Sequence, residues 1–551
     1  MTALLVCFLA VAPGGQSRLL DILAQELDRN FAALKQKADP APYYLSYAVT
    51  GQDFQVISAS LGALTARTGG RTRVLDVGIR VGSPQLDNYH RVRGERAQFT
   101  SGAAISIDDA PAAIRSRLWL DTDRAYRAAA ERLIKIRTST QVKVAEEDAS
   151  ADFSSAPPAV FSAPPARVPF DSELWAERAR RLSARLARIP GVLRGNVTVI
   201  WQNETRYLAS TEGTRLEHGR GFARVVITAQ AKAPDGMDLG TGATFEAAEP
   251  GRLPTERALN QAADRVASDL AALLKAPVSE PFVGPAIFSG RAAAVFFHEI
   301  FGHRIEGHRQ KDETEGQTFT KSVGTKVLPE FLSVVFDPTR RQEAGIDLNG
   351  WYAYDDEGVK AQPVTVIENG VLRTFLMSRS PVKGFPQSNG HGRRQPGLEP
   401  VSRQSNLIVE SSRRVPEARL REMLIAEVKR QGKPYGLYFQ DITGGFTATS
   451  RMGLQAFKVI PVMVYRVFPG GRPDELVRGA DMVGTPLASF SKILATGEKP
   501  EVFNGYCGAE SGNVPVAAVS PALLVSEIEI EKKAKSQERP PLLPPPGGEK
   551  R

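Results

Sequence analysis

The residues with the most evident chemistry are His298-Glu299-Ile300-Phe301-Gly302-His303. Two imidazoles and a carboxylate close together suit a metal-dependent hydrolase, which needs nitrogen ligands for zinc and a base for the water it polarises. The histidines stand five apart, whereas a four-residue spacing would put them on one helix face. An ideal helix turns about 500° over five residues and leaves such side chains roughly 140° apart. They can meet at one ion only if the helix bulges or ends between them, and Gly302 tolerates that distortion. The spacing therefore predicts a deformed helix, buried by the apolar AAAVFF that precedes it. Histidines that cap carbonyls or face solvent satisfy the same spacing.

A third ligand must come from elsewhere. Cys507 lies in FNGYCGAESGNVP, and the flanking Gly505 and Gly508 read as an exposed turn leading into a strand. Its thiolate suits zinc, and a set of two histidines and one cysteine leaves a fourth position open. A lone cysteine serves equally as a small buried apolar residue. His308, five beyond His303, would need another irregular turn to join the set and is read as a nearby or substrate-facing residue. His391, Arg393 and Arg394 sit in the Gly-rich SNGHGRR, where one of them can meet a developing oxyanion or a peptide carboxylate, or all can simply be solvated. Asp355, Asp356 and Glu357 read as a structural turn with Gly358.

The elements that position these residues fall into two domains, an expectation set first by the length of 551 residues. The fold class is α+β: an N-terminal helix and sheet domain over 18–280, then a strand-rich C-terminal domain over 281–534 that carries the site. Residues 18–37 repeat apolar positions at helical spacing, YYLSYAVTG, VISASLGALTART and RTRVLDVGI alternate as strands, and 112–137 is helical again. A second round of helix (172–189) then strands (NVTVIWQ, ARVVITAQA) and helix (255–274) suggests two halves of one domain. Between the rounds, 144–168 is rich in Ala, Ser and Pro and reads as an exposed linker or extended crossing segment. Residues 1–17 resemble a signal segment, with the apolar run ALLVCFLAVA before PGGQS, and predict export to the periplasm or medium; a cytoplasmic chain with a buried first element is the alternative. The Pro-rich tail over 535–551 reads as disordered.

Four separated motifs, in order, resemble the TldD/PmbA metallopeptidases. HEIFGHRIEG is similar to that family's HExxxH segment, and YDDEGVKAQPVTVIENGVLRTFLMSR to its acidic turn, strand and hairpin. SNGHGRR and RQSNLIV resemble its GxGRR and TN/SN segments, and YCGAESGNVPVAAVSPALLV its cysteine-bearing block. The resemblance covers about 285–530. It implies that His298, His303 and Cys507 hold Zn2+ and that Glu299 is the catalytic base, abstracting the proton of a metal-bound water as it attacks a peptide carbonyl. It also implies short or unfolded peptide substrates, and a homodimer or a heterodimer with a metal-free relative.

A different class of function remains open: a non-catalytic binding or partner subunit with zinc as a structural clamp, for which His308 or Glu306 would supply a fourth ligand. A nucleic-acid partner is not expected, since the formal charge of +9 comes without a long basic run or binding motif. Nor is a transmembrane segment, because no stretch approaches the roughly 20 apolar residues needed.

Overall fold

The computed structural model describes residues 17–533, apart from 93–94, 101, 141–147, 448, 451–456 and 485–488, together with Pro541 and Leu543. The signal segment expected over 1–17 and the tail expected over 535–551 therefore lie almost wholly outside the described residues. Helix and strand are mixed throughout, as the α+β reading requires.

The N-terminal region builds one sheet. Helix α1 (Arg18–Lys37), capped by the Ser17 hydroxyl, precedes strands β1 (Pro42–Ser60) and β2 (Ala63–Ser83). Helix α2 (Pro111–Thr140), the short strand β3 (Val160–Ala163) and helix α3 (Ser172–Leu186) lead to β4 (Val192–Ser210), β5 (Arg215–Lys232) and β6 (Asp238–Ala247). Helix α4 (Glu256–Lys275) closes this part. The strand order β2-β1-β4-β5 puts both helix-then-strand rounds into a single sheet, joined by antiparallel β1 and β4.

Two sequence expectations need correction here. The alternation over residues 43–79 is one long hairpin, not three short strands: β1 runs straight through Gly51 and turns only at Leu61-Gly62, both at positive φ. Gly51 is an ordinary strand position, paired with Arg73 on one side and Thr205 on the other. Where it is described, the Ala/Ser/Pro-rich stretch is the extended crossing segment of the two readings, and its expected exposure is corrected only at residues 152–154. Asp152, Phe153 and Ser154 are buried, and residues 160–163 pair in parallel with β5. The lack of aliphatic periodicity hid this because the anchors are polar and aromatic: the Arg379 guanidinium donates to the Ser154 carbonyl and lies over the Phe153 ring.

The C-terminal region forms a second sheet. Its elements are β7 (Phe282–Phe288), α5 (Gly290–Ile300), β8 (Leu332–Phe336), β9 (Val364–Glu368), β10 (Asn406–Ser411), α6 (Glu417–Arg430), β11 (Gly436–Thr447), β12 (Phe457–Val467), β13 (Ala480–Gly484), β14 (Ile493–Ala509) and β15 (Gly512–Lys532). The hairpin after β9 turns on Asn369-Gly370, both at positive φ, as a tight two-residue turn requires. Pairing runs β15-β13-β12-β11-β7 and then returns from β7 to β15, so these strands close into a ring. Helix α5 packs on this sheet with every residue buried except Arg291. A helix apolar on all sides belongs inside a core. Its first turn, Gly290-Arg291-Ala292-Ala293-Ala294, is small enough for close approach; a side chain at Gly290 would strike the Ser520 carbonyl. Phe288, Phe296, Phe297, Phe301, Phe439 and Phe490 fill the space around its far end.

Ser289 fixes where α5 begins: its hydroxyl accepts from the Ala292 amide at 3.1 Å and donates to the Gln440 carbonyl at 2.8 Å. Ser289→Ala removes both bonds and is expected to cost about 1–2 kcal/mol, the usual range for a lost N-cap. Urea unfolding of the variant beside the parent checks this.

Candidate metal centre

Helix α5 carries His298 and Glu299 to its last turn and ends at Ile300; Phe301 caps it, and Gly302–Arg304 form a 3₁₀ turn. The helix thus breaks between the two histidines, which is the distortion their spacing demands. Their rings come to 5.3 Å between centroids at 75°. Gly302 is needed at the break, because a Cβ there would collide with the side-chain amide of Gln404. That amide donates to the His298 carbonyl at 3.3 Å, satisfying one of the carbonyls left open where the helix stops.

Cys507 arrives from the other side. It lies within β14, buried, and pairs with Val514 of β15. The expected exposed turn is corrected: side chains alternate, so exposed Tyr506 and Gly508 flank inward Cys507. The glycines serve close packing in the strand, since a Cβ on Gly505 would press on the Phe503 ring and one on Gly508 on Asn513. Ligand-type atoms of His298, His303 and Cys507 all lie within 4.8 Å of one another, with Cys507 Sγ 3.4 Å from His303 Nε2. His298 Nδ1 is buried without a hydrogen-bond partner. Burial opposes the His303 imidazolium, but the Cys507 sulfur and Glu306 outweigh it and push its pKa up to about 10. Burial likewise opposes the Cys507 thiolate, yet His303, His298 and Arg403 hold the thiol well below its ordinary value. An orphaned ring nitrogen beside a cysteine held as thiolate is a donor set that fits zinc.

Glu299 follows His298 in the last turn of α5 and is 9% exposed. Strand β11 passes over it closely enough that a Cβ on Gly445 would come within 3.1 Å of Glu299 Cγ.

A second group, Glu306, His308 and Glu510, also brings ligand-type atoms within 4.8 Å. Its carboxylates are already paired. Arg309 reaches Glu306 at 3.0 Å and Glu510 at 2.6 Å, Arg96 reaches Glu510 at 3.1 Å, and Arg403 reaches Glu306 at 3.3 Å. His308 is buried beside Glu510, on a cavity of about 160 Å³ that Arg91, Arg96, Lys311 and Asp312 also line. It is not among the His298, His303 and Cys507 cluster.

The Gly-rich loop residues are placed differently from a solvated or substrate-facing loop. His391 is fully buried, between Ser405 Oγ at 3.1 Å and the Asn389 carbonyl at 3.2 Å. Arg393 lies over the Tyr352 ring and donates to the Gln404 carbonyl. Arg394 pairs with Asp76 of the first sheet at 3.3 Å. Asp355 accepts from the Glu357, Val359 and Gly392 amides, and Gly358 turns at φ 84°. The acidic segment is therefore a turn that holds the loop. Sequence reasoning assigned nothing to Arg403 and Gln404, although both lie in the quoted RQSNLIV, and it weighed Glu306 only as a fourth ligand. The one available signal was Glu306 three residues after His303.

An enclosed set of two histidines and a cysteine, with a glutamate beside the first, defines a candidate metallohydrolase centre in an α+β chain. Residues 283–532 match the family model of the PmbA/TldA metallopeptidase C-terminal domain. A metalloprotease of Methanocaldococcus jannaschii is 29% identical over 233 residues, 42% of this chain and 47% of that protein. A zinc metalloprotease TldD homolog of Saccharolobus solfataricus is 24% identical over 249 residues, 45% of this chain and 51% of that protein. The chain thus matches about half the length of these relatives. The crystal structure of TldE from Thermococcus kodakarensis superposes with a TM-score of 0.60 over 93% of this chain and 100% of that one, at 14% identity, which shows the fold.

Burial, with a smaller push from Arg393, lowers the His391 pKa to about 3. Between that value and the ordinary value of about 6.5 the unfolded chain holds a proton that the folded chain does not. This contribution to stability is complete above pH 6.5 and is lost as the pH falls toward 3, at up to about 1.4 kcal/mol per unit. His391→Asn should flatten the dependence of unfolding free energy on pH across that window, as measured by urea titrations at several pH values.

Proposed function

We propose that this chain is a zinc-dependent peptidase acting on short or unfolded peptides, with zinc held by His298, His303 and Cys507 and with Glu299 as general base. The observation that carries it is the meeting of those three side chains at the break of α5, with Glu299 alongside. Zinc held there would supply Lewis acidity toward a carbonyl and make water more acidic. The Glu299 carboxylate takes the proton from the attacking water and returns it to the leaving amine. Buried His391 and Arg393, with half-buried Arg394, act in this reading as the frame of the site, and His308 as part of a neighbouring charged cavity.

The alternative of a structural clamp needs a closed site. Among the described residues no fourth His, Cys, Asp or Glu joins the three, and both oxygens of Glu306 face arginines. The open fourth position favours catalysis. Beyond Phe439, the edge of β11 opposite β12 has no strand partner among the described residues, which suits a peptide docking as an added strand near Glu299.

Glu299→Gln should keep about one zinc per chain and lose at least about 100-fold in peptide cleavage, in line with loss of a general base. Cys507→Ser should lose most of its zinc. Metal analysis and a library of unstructured peptides check both, and normal turnover by Glu299→Gln would remove that residue as the base.

The paired-subunit arrangement, as a homodimer or with a metal-free relative, is part of the same proposal and rests on the family resemblance of the sequence motifs. No helix among the described residues is long and apolar enough to cross a membrane. Export rests on residues 3–12 alone. The mass of the native complex and of its mature chain tests these two points, with a doubled mass and a shortened N-terminus expected.

A further inference from the structure

Glu306 and Arg403 are completely buried, charged, and outside the ligand set. Glu306 lies three residues beyond His303, past the 3₁₀ turn, with Oε2 3.6 Å from His303 Nδ1, while Nε2 of the same ring faces Cys507. A carboxylate on that side favours the tautomer with the proton on Nδ1, leaving the Nε2 lone pair directed toward Cys507. Arg403 holds the other end. Its Nε is 3.3 Å from Glu306 Oε1, while Nη2 donates to the Cys507 carbonyl at 2.6 Å. Nη1 donates to Ser511 Oγ at 2.8 Å and to the Gly512 carbonyl at 2.9 Å, in the turn joining β14 and β15. One guanidinium thus grips the partner of the first ligand and the backbone of the second. The ligands are 204 residues apart in sequence and come from a helix end and a strand.

We propose that Glu306 and Arg403 are positioning residues that set the tautomer of His303 and its separation from Cys507, so that zinc affinity depends on them although neither touches the ion. Arg309 is the auxiliary: it pairs with Glu306 at 3.0 Å and keeps that carboxylate neutralised. Lysine cannot replace Arg403, because one ammonium cannot reach the carboxylate and three acceptors in the β14–β15 hairpin together. Aspartate at 306 keeps the charge the arginines require but withdraws the carboxylate from His303 by one methylene.

The inference rests on the metal assignment above, and its test separates the two. Zinc dissociation constants are measured by chelator competition for the full-length parent, Glu306→Asp and Arg403→Lys. Thermal midpoints of the metal-free forms and visible spectra of the cobalt-loaded forms are recorded alongside. Zinc binding should weaken about 10–100-fold in each variant, the usual effect of removing a ligand's orienting partner. The variants should stay folded, and the cobalt spectrum should shift as the ligand geometry relaxes. Affinities within twofold of the parent would overturn the proposal. So would weakening that follows only the folded fraction, or loss of the fold in both variants, since either assigns the pair to stability alone. A parent chain that takes up no zinc would overturn the metal assignment itself, and this inference with it.

Discussion

Helix α5 is enclosed along nearly its whole length, so it has no solvent-facing stripe on which to place polar groups. Whatever polar atoms it carries must find partners inside, or cost free energy. Apart from half-buried Arg291 at its start, only its last turn is polar, and that is also where the helix stops and its final carbonyls lose their intrahelical donors. The surrounding residues answer both needs. Gln404 meets the His298 carbonyl, and His303 is turned back between Cys507 and Glu306. Gly302 leaves the room for this, and Ser289 sets the register at the other end. Position and polarity of the site thus follow from burying one short helix.

A buried carboxylate beside a histidine must itself be neutralised. Glu306 is paired with Arg309 and Arg403, and Glu510 with Arg309 and Arg96. Such networks add little net stability compared with a well-packed apolar core, but breaking one member strands the others and costs about 3–5 kcal/mol. They hold geometry more than they hold the fold together. The network also crosses between the two sheets: Arg96 comes from the N-terminal region and Arg394 answers Asp76 there. The N-terminal region therefore completes the charge balance beside the candidate metal centre.

The main elements were readable where a single local rule governs them. The helix over 18–37 and the helix beginning after Thr255 have apolar stripes and side-chain caps, and both have the expected limits within a residue. Legibility failed where glycine or proline suggested one local rule and tertiary contacts obeyed another. Gly505 and Gly508 suggested a turn, but their lack of a side chain makes room for neighbours across a strand pair. The Ala/Pro-rich stretch lacks aliphatic periodicity because Phe153, Ser154 and a guanidinium from Arg379 anchor it instead.

For the site itself, the sequence by itself determined the candidate donor types, their order, and the condition that the helix bulge or end between His298 and His303 if both are to face one point. A five-residue spacing cannot converge on one point along a regular helix, whatever surrounds it. Which partners those side chains meet was decided only in three dimensions. Cys507 lies 204 residues from His303, and nothing local says that β14 will deliver it inward. Arginine is seldom buried without a partner, and the partner of Arg403 is fixed by the meeting of β10, β15 and the end of α5. Long-range pairing of buried charge leaves no periodic signal in a chain; it exists only once the strands that carry it have closed around the helix.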